Sequence, residues 1–88
     1  MKESALVARI LSSLNARPDT VVRKLHGDRY AVAGDPDVYG CIAGRHVCLE
    51  VKAPGGGLPS PLQWARLTAW QRAGSLVAVV QVVRSWTR

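Results

Sequence analysis

Leu49-Glu50-Val51-Lys52 is the stretch on which the reading of this chain turns. An acid and a base stand two residues apart inside an otherwise apolar, β-branched run. In a strand, residues i and i+2 share a face. Glu50 and Lys52 therefore emerge side by side, while Leu49 and Val51 point into a core. Upstream lies Gly34-Asp35-Pro36-Asp37, a second dense acidic cluster; downstream, Pro54-Gly55-Gly56-Gly57 forms a flexible exit.

Working outward, His46 to Lys52 reads as a strand with His46, Cys48, Glu50 and Lys52 on one face and Val47, Leu49 and Val51 on the other. Ala43-Gly44-Arg45 is a short turn, so the strand pairs antiparallel with Val38 to Ile42. Pro36 precedes that second strand, where proline is tolerated. Thr20 to Leu25 alternates as a further strand, and Glu3 to Leu14 carries Leu6, Val7, Ile10, Leu11 and Leu14 at helical spacing. Ser60-Pro61-Leu62-Gln63 is a sharp helix start: Ser60 as N-cap, Pro61 in the first turn, Gln63 where a capping box places Glu or Gln. The helix runs to Ala73, with Gly74 closing it. Leu76 to Val83 is almost continuously apolar, which predicts a strand buried on both faces. The order is α-β-β-β-α-β, and the helix between the last two strands implies a right-handed crossover. The expected architecture is α/β, a small mixed sheet flanked by helices, with residues 1–88 as one domain.

At 88 residues the chain supports one limited core, so self-association is expected to supplement it. Twelve Lys/Arg against six Asp/Glu give a net charge of +6, which favours a polyanion, most simply nucleic acid. Three of the acids (Asp35, Asp37, Glu50) are concentrated in a short central segment, whereas the bases are spread along the chain. That distribution suits phosphates outside and a divalent cation inside. No signal peptide and no apolar run of transmembrane length is seen, so the expected compartment is the cytoplasm, with Cys41 and Cys48 reduced. Cys41, Cys48, His26 and His46 follow no CxxC spacing, which argues against a zinc site. The glycines after Pro54 precede no Lys-Ser/Thr, so they are not a P-loop.

Phosphodiester hydrolysis needs a nucleophilic water, charge neutralisation at phosphorus and a stabilised leaving group. A hard divalent cation held by one or two carboxylates supplies much of each. Asp37 and Glu50, on adjacent strands, can form that pair, and the carbonyl of Val51 is a further candidate oxygen ligand. Lys52 brings a positive charge to the same face, to orient the attacking water or stabilise the developing charge. A bare E-x-K is commonplace on exposed strands, where such ion pairs contribute little. The preceding Pro-Asp, the buried character of the strand and the scarcity of other acids give this one its weight.

Pro36-Asp37 followed by Glu50-Val51-Lys52 resembles the PD-(D/E)XK nuclease signature. With Gly34 to Gly40, Leu49 to Gly56 and Ser60-Pro61-Leu62-Gln63, nearly the whole chain is similar to stand-alone VRR-NUC domains of phage type and to archaeal-type Holliday junction resolving enzymes. The resemblance implies that Asp37 and Glu50 ligate Mg²⁺ or Mn²⁺ and that Lys52 is the catalytic lysine. It matches Glu3 to an acid on the first helix that reaches the metal through water. It matches Gln63 to a glutamine near the active site, a role compatible with the capping box. It also implies a homodimer nicking opposing strands of a four-way DNA junction, with no small-molecule cofactor and no membrane. Lys24, His26, Arg29 and Ser60 are candidate DNA contacts. Asp35 departs from the family pattern and reads as a turn residue before Pro36. Trp64 and Trp70 are expected in the core or a dimer seam. Larger relatives carry added recognition domains; none is expected here, so selectivity falls to dimer geometry and basic surface. The alternatives are a less selective nuclease of flaps or duplex, and a basic nucleic-acid-binding module without catalysis.

Overall fold

The computed structural model describes residues 2–25 and 32–81. Two helices and four strands follow in the order α1 (Glu3–Asn15), β1 (Thr20–Lys24), β2 (Val38–Ile42), β3 (Arg45–Lys52), α2 (Pro61–Arg72) and β4 (Leu76–Gln81). The strands form one sheet in the order β1-β2-β3-β4, antiparallel except for the parallel β3–β4 pair. The expected mixed sheet and α/β class are found. His26 and Arg29, with the rest of residues 26–31, and residues 82–88, which include the end of the predicted last strand, lie outside the described residues. Among those described, no helix is long and apolar enough to cross a membrane.

Register divides the sheet into two faces. Val22 pairs with Gly40, Gly40 with Val47, Val38 with Leu49, and Val51 with Val80. Those residues share one face, and α1 packs there through Leu6 and Val7. Val22, Val38 and Val51 are fully buried, each contributing about 1.5–3 kcal/mol. The other face carries Tyr39, His46, Cys48, Glu50 and Lys52, and α2 lies on it, with Leu67 buried.

Two local devices fix this frame. Asn15, the last residue of α1, clasps β1: its Nδ2 donates to the Val22 carbonyl at 3.0 Å and its Oδ1 accepts from the Val22 amide at 2.9 Å. A side-chain amide thus stands in for a neighbouring strand. At Gly40, an added Cβ would lie 2.1 Å from the Val21 carbonyl oxygen, so β1 and β2 approach closely because that position has no side chain.

The last strand departs from expectation. Its apolar run predicts burial on both faces, yet β4 is the sheet edge and Leu76 is 55% exposed. α1 covers β1 and β3 but leaves a groove of about 490 Å³ between Ile10, Leu14, Leu49 and Val80. Of the two tryptophans expected in the core or a dimer seam, Trp64 is exposed and Trp70 half-buried, so neither lies in the core of the single chain.

The β2–β3 hairpin turns on Ala43 and Gly44, both at positive φ (50° and 83°). Such two-residue turns favour Asn-Gly, and an alanine there carries left-handed strain. Ala43→Asn is therefore expected to stabilise the fold by about 0.5–1 kcal/mol, read as a rise of a few degrees in thermal melting; an unchanged or lower midpoint would contradict the turn assignment.

Candidate active site

The site sits where β2 begins and β3 ends. Val32 to Asp35 forms a turn closed by the Asp35 amide donating to the Val32 carbonyl at 3.1 Å. Gly34 takes φ +84° there, and an added Cβ would meet Leu62 of α2 at 2.7 Å. The turn is therefore held against the start of α2, and the buried Pro36 delivers Asp37 to the sheet. Asp37 is not itself in the ladder. Its Oδ2 accepts from the Val51 amide at 2.7 Å, carrying the β2–β3 connection beyond the Val38–Leu49 pair by a side chain. That bond sets the Asp37 carboxylate beside Glu50, the next residue back along β3.

Glu50 is only 1% exposed, and among the described residues neither of its oxygens has a hydrogen-bond partner. The nearest cation is Lys52, with Nζ 3.4 Å from Oε2. Burial and then the neighbouring Asp37 charge push the Glu50 pKa up to about 7, with Lys52 opposing. Buried polar atoms are nearly always satisfied, and a buried carboxylate beside a half-buried one, with one ammonium, is short of positive charge. The arrangement fits a hard divalent cation, which takes oxygen donors and needs only one or two carboxylates. Asp37 and Glu50 can hold it; the Val51 carbonyl belongs to the same short segment. Among the described residues, no group of three His, Cys, Asp or Glu side chains clusters as a metal cage.

Gln63 carries two loads. Its Oε1 accepts from the Ser60 amide at 2.8 Å while the Ser60 hydroxyl accepts from the Gln63 amide at 3.1 Å, completing the capping box. The same Oε1 accepts from Lys52 Nζ at 3.0 Å. Lys52 is thus suspended between Glu50 and the start of α2. Capping and site contact, both expected for Gln63, coexist in one atom.

The other expected residues are not gathered here. Glu3 is exposed in the first turn of α1, the helix on the opposite face, and makes no hydrogen bond or ion pair with Asp37, Glu50 or Lys52. Lys24 is exposed at the end of β1, on the α1 face by register with Val38. Ser60 is exposed beside the site, its hydroxyl engaged in the cap. Asp35 serves the turn and also accepts from Trp70 Nε1 at 3.3 Å. Sequence reading missed this link, which spans 35 residues, and a neighbouring cluster as well. His46 stacks on Trp70 with ring centroids 5.4 Å apart, and Ser75 Oγ lies 2.9 Å from His46 Nδ1 and 3.4 Å from Cys48 Sγ. Burial pushes the Cys48 thiol up, against the Ser75 hydrogen bond, so it stays protonated and packs inertly. The alternation His46, Cys48, Glu50, Lys52 marked this face; nothing local marked its partners.

Among solved structures, a VRR_NUC domain protein has a similar fold, with a TM-score of 0.74 at 19% sequence identity over 92% of this chain and 78% of that one. At that identity the likeness is one of fold. No family model matches the chain, and no curated protein matches it.

The bare Glu50 carboxylate has a consequence for stability. Its pKa is raised from 4.5 in the unfolded chain to about 7 in the fold, so ionisation costs nothing below pH 4.5, costs increasingly between 4.5 and 7, and costs a constant amount above. Glu50→Gln removes that charge. In chelator, its melting midpoint relative to the native protein is expected to be several degrees more favourable at pH 8 than at pH 5; an offset independent of pH would contradict the buried charge.

Proposed function

We propose that this chain is a metal-dependent DNA endonuclease that nicks branched DNA, four-way junctions foremost, as a homodimer using Mg²⁺, with Mn²⁺ able to substitute. The observation that carries the proposal is the buried Glu50 carboxylate, without a hydrogen bond at either oxygen among the described residues and set beside Asp37 and its ion-pair partner Lys52. A stability-driven fold gains nothing from that arrangement, whereas a cation site needs it. The likeness in fold to a VRR_NUC domain protein supports a nuclease, and the net charge of +6 supports a polyanionic substrate.

When bound, the metal supplies charge neutralisation at the phosphate and an acidified water. The remaining work falls to side chains. Asp37 holds one carboxylate oxygen on the Val51 amide, which fixes the direction of the group. Lys52 presents its ammonium to the attacking water or to the charge developing on phosphorus, at a position set by Gln63. Gln63 is therefore a positioning residue. Ser60 and Lys24 lie exposed and available to the DNA backbone. Among the described residues nothing pairs with the apolar edge of β4, which supports pairing with a second copy, and two symmetry-related sites suit a junction of near two-fold symmetry.

The test is cleavage of a mobile four-way junction, a flap and a linear duplex, with Mg²⁺ or with chelator, alongside Glu50→Gln. Paired symmetric nicks in the junction alone, dependent on Mg²⁺ and on Glu50, are expected. Cutting of all three substrates would replace the proposal with a less selective nuclease, and binding without cutting would reduce it to a DNA-binding module. Lys52→Ala is expected to lower the cleavage rate about 10²–10³-fold and leave junction affinity nearly unchanged; a large loss of binding would refute its role in chemistry.

A further inference from the structure

A second concave site lies beside the carboxylates. It is a groove of about 300 Å³ between α2 and the turn that precedes Asp37, lined by Asp35, Arg66 and Trp70, with Ala69 and Ala73 along its floor. Arg66, Ala69, Trp70 and Ala73 recur at helical spacing, so they present one stripe of α2 to the groove. Trp70 is held in place from two directions. His46 stacks on it nearly parallel, at an interplanar angle of 9°, and its Nε1 donates to Asp35 Oδ1. Asp35 and Trp70 both line the groove, so the Nε1 edge of the indole, bonded to Asp35, borders it. Arg66 is also fixed: its Nε donates to the Ala33 carbonyl at 3.1 Å. The small side chains of Ala69 and Ala73 keep the space open.

We infer that this groove receives an unpaired nucleobase of the DNA substrate. Three features specify that ligand. A held aromatic surface suits the π-face of a base and contributes alike for all four. The Asp35 carboxylate has acceptor capacity beyond the one oxygen bonded to Trp70 and can take a hydrogen bond from a base amino group. The Arg66 guanidinium can meet the phosphate attached to that base. The location adds a fourth: Asp35 is two residues from Asp37, and Trp70 stacks on His46, four residues or about 13 Å along β3 from Glu50, so a base in the groove lies within about two nucleotides of a phosphate at Asp37 and Glu50. Continuous duplex keeps its bases stacked and cannot fill the groove, whereas the exchange point of branched DNA interrupts the stack and lets a base be displaced, which gives the protein a preference for sites where a base is free. The inference rests on the nuclease proposal for its choice of DNA, but not on catalysis.

Binding is measured with Glu50→Gln protein in chelator, by anisotropy, on three otherwise identical hairpins: fully paired, with one unpaired 2-aminopurine, and with an abasic residue at that position. The 2-aminopurine hairpin is expected to bind about tenfold tighter than the other two, with quenched 2-aminopurine fluorescence. Trp70→Leu should erase both effects and leave the paired hairpin unaffected. Because Trp70 also packs on His46, Ala69→Leu provides a second variant that fills the groove from an exposed helix position and should erase the same preference. Free 2-aminopurine deoxyribonucleoside monophosphate should bind far more weakly than the hairpin; equal binding would make the groove a nucleotide site and overturn the inference. Equal affinity for paired and unpaired hairpins, or a preference that survives Ala69→Leu in folded protein, would also overturn it. If the native protein cuts no DNA with Mg²⁺ yet the preference appears and depends on Trp70, the groove stands and the nuclease proposal falls; cutting without the preference gives the reverse.

Discussion

A carboxylate stripped of water and left without a hydrogen bond is the constraint around which this small structure is arranged. Glu50 stands on β3, which is flanked by β2 and β4 and covered by a helix on each face. No exposed position would impose the same penalty on the charge. The surrounding parts each bear on it. Asp37 is steered toward it by a bond to the Val51 amide. Among the described residues Lys52 is the one cation in contact, and its head is tied back to α2. The turn at Gly34 packs on Leu62 so that the approach to Asp37 is fixed from the same helix.

The sheet separates two tasks by face. Toward α1 it is a plain apolar core of valines and leucines. Toward α2 it carries a line of polar side chains, from His46 and its Ser75 and Trp70 neighbours to Lys52 and Gln63. The first face holds the chain together, so the second is free to be electrostatically poor. A domain of this size has little stability to spare, and placing the apolar packing and the buried charge on opposite sides of one sheet limits how far each disturbs the other.

Much of this was legible in local sequence. Alternation placed Glu50 and Lys52 on one face, Pro36 and the Ala43-Gly44 turn set the hairpin register, and Ser60-Pro61-Leu62-Gln63 announced the helix start. These signals are short-range, which is why they survive in the fold. What failed was long-range. The apolar run at Leu76 reads the same whether the strand ends up central or at an edge, and only the sheet order decides. Glu3 keeps helical spacing with Val7 and Ile10, but the first turn of α1 begins where the packing has not yet started. The Asp35–Trp70 bond and the His46–Ser75 contact join residues 35 and 29 apart. No periodicity within either segment could reveal such pairs.

The shared oxygen of Gln63 couples two properties that are separable in most proteins. One acceptor ends the backbone of α2 and also steadies the Lys52 ammonium. Glutamate is the usual alternative at the third position of a capping box; in an ordinary helix the exchange is harmless or helpful. Here it would set a further negative charge against a lysine already facing a buried acid, and compete with any cation drawn to Asp37 and Glu50. The helix start is therefore closed to the simplest route of improvement, and selection for thermal robustness must act elsewhere in the chain.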